Sequence, residues 1–343
     1  MSVSATSTNR MLPRLFAALM IGAAWSYGSA ALAPASAQTI AVEKLTFGPK
    51  ELVVTIPKIE ADGSNLTQGE LATLFQFKDI KSIADLLGRF NAKAVRLPEI
   101  RIEQNLPKGG GKATLQTIIY RDLTFTDVVG GKAKAAVLAG GSMTMEDSEL
   151  GKSTGTIGRM AMEDIDFTAA VRFMIDKAVG GEAPKTIYRN GVFDGMTMKG
   201  DKFEMTMGRM TFGEFRARPM RTPFTEIFAL AQDMEKTKGQ PPSPENTKKL
   251  IDFIVDMLDA FETSPAAMEN LRIVAPDKNK NTPITISLGK MTIGPFGKRR
   301  YPSILAENME IKAADGSVSM GGFNFKGIDF FPHGMRMPIV ARM

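Results

Sequence analysis

The chain has 343 residues, a net charge of +6 and no cysteine. The missing cysteine excludes a disulfide framework, a thiolate nucleophile and a zinc–cysteine site. Acidic and basic residues are mixed along the chain, which argues against nucleic acid as a partner, and an apolar content of 43% is enough for an ordinary core.

The first residues read as a secretory signal peptide over 1–37. Arg10 and Arg14 form a positive start, residues 15–24 an apolar stretch, and Ala35-Ser36-Ala37 a small-x-small cleavage site. The stretch is too short for a membrane anchor, which takes roughly 20 apolar residues. There is no paired arginine, so the general secretory route is expected, and no cysteine follows the cut to carry a lipid. Loss of Arg10 and Arg14 takes the charge from +6 to +4. The product starting at Gln38 is expected in the periplasm, with no transmembrane segment.

Strands are predicted over 52–59, 94–104, 113–126 and 132–138, where apolar residues alternate. Thr67-Gln68-Gly69-Glu70 is a capping box that opens a helical insertion near 67–91, with Ile80, Ile83, Leu87 and Phe90 at helical spacing. A short unit then recurs: Ser/Thr, apolar, Gly, variable, apolar, variable, apolar. Its copies start at Thr156, Thr206, Ser287 and Ser319, with a degenerate one over 139–145. Residues 195–212 and 308–325 extend the match as strand, tight turn, strand. The apolar alternation slips by one residue at each glycine. A β-bulge explains this, and a two-residue hairpin with Gly first is the alternative. The bulge is preferred, because each unit already has a turn a few residues earlier.

A shorter helix is predicted over 167–178, and a helical hairpin over 221–263. Gly239-Gln240-Pro241-Pro242 breaks the hairpin and Ser243-Pro244 restarts it. Its second helix is expected to bury Leu250, Ile251, Ile254, Leu258 and Phe261, leaving Asp252, Asp256 and Asp259 as a wet face. The expected divisions are the signal over 1–37, a β-rich repeat region over 38–220, the hairpin, and a second β-rich region over 264–343. The expected fold class is α+β: antiparallel, twisted sheet units with helical insertions, giving an elongated body.

Candidate chemistry is sparse. Gly151-Lys152-Ser153-Thr154-Gly155 matches a nucleophile-elbow pattern, but acids precede it and a strand follows, so an inter-strand turn is expected. The same stretch is no phosphate loop, because Glu146 stands where its first glycine should be, so no nucleotide is expected. Two carboxylate clusters, Glu163/Asp164/Asp166 and the helical one, would suit a glycosidase, but the chain beyond residue 37 has no Trp to form a sugar platform. The basic clusters Arg216/Arg218/Arg221 and Lys298-Arg299-Arg300 read as solvated loop charge. No catalytic residue and no cofactor is assigned, and an enzyme is not expected.

Methionine is the unusual component, at 23 residues. Met-x-Met pairs are what a methionine-filled sheet face looks like, because residues two apart share a side. Met205, Met207, Met210 and Phe212 are the candidate ligand-binding residues on such a face. His333, Met335 and Met337 form a His-x-Met-x-Met with ligands that suit copper(I).

The Ser/Thr-apolar-Gly-Arg/Lys-apolar unit, read with the signal peptide, resembles exported β-repeat proteins of α-proteobacteria and, distantly, the strand repeats of the AsmA-like envelope family. That resemblance implies lipid handling along a β-groove. It carries over no site residues, and this chain is much shorter and lacks the family's usual anchor. The expected function is therefore a non-catalytic periplasmic protein binding lipid or another apolar envelope component. The alternatives are a purely structural or interaction protein of the envelope, and a periplasmic copper binder.

Overall fold

A computed structural model describes residues 39–49, 51–76, 80–107, 113–147, 151–227, 230, 243–276, 282–297 and 300–329. The signal segment, the glycine run 109–111, residues 231–242, Lys298-Arg299 and the His333, Met335, Met337 trio lie outside these residues.

The chain runs through β1 (Ile40–Phe47), β2 (Leu52–Asp62), α1 (Gln68–Gln76), α2 (Ile80–Arg89), β3 (Ala92–Pro107), β4 (Ala113–Val129) and β5 (Lys132–Asp147). It continues through β6 (Gly151–Ile157), β7 (Met160–Asp166), α3 (Phe167–Ile175), β8 (Lys185–Phe193), β9 (Met196–Gly200), β10 (Glu204–Met207), β11 (Met210–Phe212) and β12 (Phe215–Ala217). After α4 (Pro244–Ala260) come β13 (Phe261–Thr263), β14 (Ala266–Pro276), β15 (Pro283–Ile293), β16 (Arg300–Tyr301), β17 (Ile304–Ala313), β18 (Gly316–Phe325) and β19 (Ile328–Asp329). All strands except β16 and β19 belong to one sheet. Short segments lie end to end in it, β6 with β7, β8 with β9, β10 with β11 and β12, and β13 with β14. The result is an elongated antiparallel meander in which neighbours in space are neighbours in sequence. Strand dominates and helices are few, so the fold is mostly antiparallel β rather than a balanced α+β.

The repeated glycine is not a hairpin turn, and it is not the expected bulge either, because the strand register is the same on both of its sides. Met207 faces Met196 and Met210 faces Phe193, so the chain passes Gly208 without turning back. There Gly208 N donates to Glu269 O (2.9 Å) and Glu269 N to Arg209 O (3.0 Å), while Met205 faces Ile273 and Met210 faces Met268, so both strands kink together and the register is kept. At Gly158 the register is also kept, with Gly158 N donating to Gly195 O (2.7 Å) and Asp194 N to Arg159 O (2.8 Å), two residues facing two.

The glycine has a partner that the sequence reading missed. Asn270 and Asn308 hold φ of 52° and 55°, left-handed values that asparagine tolerates better than most side chains. Each turns its Cβ toward the glycine of the strand before it. A Cβ on Gly208 would stand 2.6 Å from the Glu269 carbonyl oxygen and 3.2 Å from the Asn270 Cβ. A Cβ on Gly289 would stand 2.9 Å from the Asn308 Cβ. The left-handed residue sits inside its own recurring hexapeptide. Among its copies are Val42-Glu43-Lys44-Leu45-Thr46-Phe47, Tyr120-Arg121-Asp122-Leu123-Thr124-Phe125, Met268-Glu269-Asn270-Leu271-Arg272-Ile273 and Ala306-Glu307-Asn308-Met309-Glu310-Ile311. Its third residue has φ of 45°, 53°, 52° and 55° in turn. Over β9 to β18, glycine strands and left-handed strands therefore alternate, and these in-register irregularities align into a seam across the sheet.

Helices cover one end of the apolar face. α1 starts at the expected capping box: Thr67 N donates to Glu70 Oε2 (2.8 Å) and Glu70 N to Thr67 Oγ1 (3.3 Å). Leu71, Leu74, Ile83 and Leu87 of α1 and α2 then pack with Ile59, Val95, Leu123, Phe125 and Leu138 of the sheet. Burying each of these large side chains contributes about 1.5–3 kcal/mol. α3 is capped by Asp166, which accepts from Ala169 N (2.7 Å).

α4 begins as expected, with Ser243 as its cap and Pro244 in its first turn, but it presents a different face. Ile251 and Ile254 are exposed at 55% and 52%, whereas Phe253, Met257, Asp256 and Ala260 turn inward toward Met220, Ala217 and Phe173. Asp256 is thus not on a wet face. It is 2% exposed, and it accepts from Arg218 Nη2 (2.8 Å) and from the Arg221 backbone N–H (2.6 Å). Arg218 and Arg216 are likewise not solvated loop charge. Arg218 holds Asp256, and Arg216 holds Glu262 (3.0 Å) and the Pro184 carbonyl (2.9 Å). The charged pair overrides the helix's apolar periodicity, because a buried carboxylate must keep its cation.

Candidate functional site

The apolar face continues beyond the helices. Directly facing residues form rows across the strands. One row runs Met143, Gly155, Met198, Met205, Ile273, Ile286, Ile311, Val318. A second runs Met160, Phe193, Met210, Met268, Met291, Ala306, Phe323. A third joins Leu271, Leu288, Met309 and Met320. The opposite side of the same strands carries Thr197, Thr206, Arg272, Ser287, Glu310 and Ser319, so the sheet is apolar on one side and polar on the other.

Cover on the apolar side falls off along the rows. In the first row Met143 and Met198 are 5% and 7% exposed, but Ile286, Ile311 and Val318 reach 42%, 46% and 69%. Met320 and Phe323 are about half exposed as well. The structure brings Met205, Met207, Met210 and Phe212 onto this one side, Met205 and Met207 before the seam and the others after it. All four are half-buried, at the border between the covered core and the open stripe. The open stripe lies further along, on β15, β17 and β18, at residues that sequence reading assigned to strands but not to a site. The available signal was β18 itself, GSVSMGGFNF, which alternates apolar side chains with no charge.

The polar candidates are each accounted for. Ser153 sits mid-strand in β6, 3% exposed, its hydroxyl without a partner; a nucleophile elbow would put it on a sharp strand-to-helix turn. Glu163 pairs with Asn190, Asp164 with Arg189 (3.0 Å), and Asp166 with the α3 amide and Lys132 (2.9 Å). Among the described residues no group of three or more His, Asp or Glu side chains is placed to hold a metal. Charges near the open stripe are neutralised in place on the polar side, Arg272 by Glu204 (3.4 Å) and Lys312 by Glu310 (2.9 Å). No helix among the described residues is long and apolar enough to cross a membrane.

A separate apolar hollow lies between the helices and the sheet, lined by Leu74, Phe75, Ile83, Leu87, Phe125 and Phe167 among others, with a free interior of about 40 Å³. That space suits a methyl group or two and not an alkyl chain. What the open face offers chemically is apolar contact, with no polar side chains converging on it among the described residues. No family model, no curated protein and no solved structure matches the chain.

Proposed function

We propose that the protein is a non-catalytic, exported envelope protein that holds lipid or another apolar envelope component on the open face of β15, β17 and β18. The carrying observation is the contiguous exposure of Ile286, Ile311, Val318, Met320 and Phe323 on one side of the sheet. Scattered apolar residues on a surface are ordinary, but a continuous stripe of this kind marks an interaction surface. Methionine suits such a face, because its unbranched thioether adapts to ligands of varied shape. We read the strand-turn-strand copies as true repeats that extend this surface, in keeping with the resemblance to AsmA-like strand repeats.

The test is native mass spectrometry of the protein purified from periplasm. Bound acyl lipid is expected, and it should be lost in an Ile311→Glu, Val318→Glu variant. Both positions are exposed, so that variant should unfold at the wild-type temperature. Wild-type protein free of lipid, or a variant that keeps it, would refute the reading.

A further inference from the structure

The two outer strands of the sheet are complementary to each other. Among the described residues β1 pairs with β2 alone and β18 with β17 alone. Gly158, Gly208 and Gly289 are each blocked from carrying a Cβ by the strand that follows, at Gly195, Asn270 and Asn308. Those three residues all have positive φ. Gly321 occupies the same place in β18, yet a Cβ there would meet nothing within 4 Å. Its neighbour β17 does not require glycine; a left-handed strand on its open side would. At the other edge, Lys44 holds φ of 45° and faces Pro57 on β2, with no seam glycine before it.

We infer that β18 of one copy pairs antiparallel with β1 of a second copy, Gly321 lying opposite Lys44. The register then reproduces the one β17 already makes with β18. There Ala306, Glu307, Met309, Glu310 and Ile311 face Phe323, Gly322, Met320, Ser319 and Val318. In the new contact Val42, Glu43, Leu45, Thr46 and Phe47 take those places, residue for residue. Apolar side chains meet apolar ones, no like charges oppose, and the two sheets share one continuous apolar side. Exposed edges are normally guarded by Lys, Pro or an inward charge, and β18 has none of these. Gln68 Nε2 donates to the Ala41 carbonyl (2.8 Å), so the pairing spans Val42 to Phe47. A head-to-tail contact of this kind builds a ring or a filament. It rests on the edges alone and not on the lipid reading.

Two variants of the chain beginning at Gln38 test it. Light scattering after size exclusion should give wild-type masses that rise with concentration to a dimer or larger. Gly321→Val should stay monomeric with unchanged thermal midpoint, because the space for its side chain is filled only by a docked Lys44. Thr46→Cys with Ser319→Cys, in a protein with no other cysteine, should give a ladder of disulfide-linked multimers on a non-reducing gel. The inference fails if wild type stays monomeric throughout, or if Gly321→Val assembles equally well. It also fails if the cysteines bridge within one chain, or if Gly321→Val unfolds earlier as a monomer, since the chain itself would then occupy that edge.

Discussion

Gly289 lies opposite Asn308, and a Cβ on the glycine would stand 2.9 Å from the asparagine's own Cβ. Neither residue explains itself alone. The left-handed asparagine rotates its strand back onto the apolar side, and the glycine is there because that rotation fills its side-chain space. Repeated across the sheet, the pair keeps one face apolar through every slip of phase.

Gly208→Ala and Gly289→Ala should therefore each destabilise the protein by about 1–3 kcal/mol through overpacking against a neighbouring strand. Gly321→Ala, with open space around its new methyl, should stay within about 0.5 kcal/mol. Urea unfolding of dilute protein compares the three. Equal losses at all three positions would mean that glycine serves the strand it belongs to and not the strand beside it.

The glycine half of this device was legible in the sequence, because Met207 and Met210, or Leu288 and Met291, are visibly out of step around it. The other half was not. Glu269-Asn270 and Glu307-Asn308 look like ordinary solvent-facing residues, since a left-handed residue leaves no mark on apolar periodicity. The long strands and the starts of α1 and α4 were readable, because capping and alternation are local. The inward face of α4 was not, because Asp256 is placed by Arg218, 38 residues away in sequence. The open stripe was also hidden, since alternation says which residues share a side and nothing about what covers it.

That ion pair gives a second expectation. Arg218→Met should leave the buried Asp256 carboxylate with only the more distant, exposed Arg221 guanidinium (3.6 Å) and cost up to about 3–5 kcal/mol. Adding Asp256→Leu should restore most of that loss. Thermal unfolding of the single and double variants reads the difference. A single variant as stable as wild type would show that Arg221, through its backbone N–H and its guanidinium, suffices to hold α4.

The contact between the start of α1 and the end of α2 should respond to acid. The Thr67 backbone N–H, with Arg89 and the Thr67 hydroxyl, holds the Glu70 carboxyl down to about 2, below its ordinary 4.5. A lowered folded value means the contribution is complete above pH 4.5 and fades as pH falls toward 2. Glu70→Gln should lower the thermal midpoint at pH 7 and match wild type near pH 2. A gap that persists unchanged at the acid end would assign the loss to shape rather than to charge.

The most direct measurement of the open apolar face uses tryptophan as a reporter, because the sole Trp of the chain is Trp25. In protein beginning at Gln38, Ile286→Trp places an indole on the apolar side and Thr285→Trp places one on the other. Mixed with vesicles of brominated phospholipid, the Ile286→Trp emission should be quenched and the Thr285→Trp emission should not. Equal quenching of the two, or none in either, would contradict a lipid-holding face on this sheet.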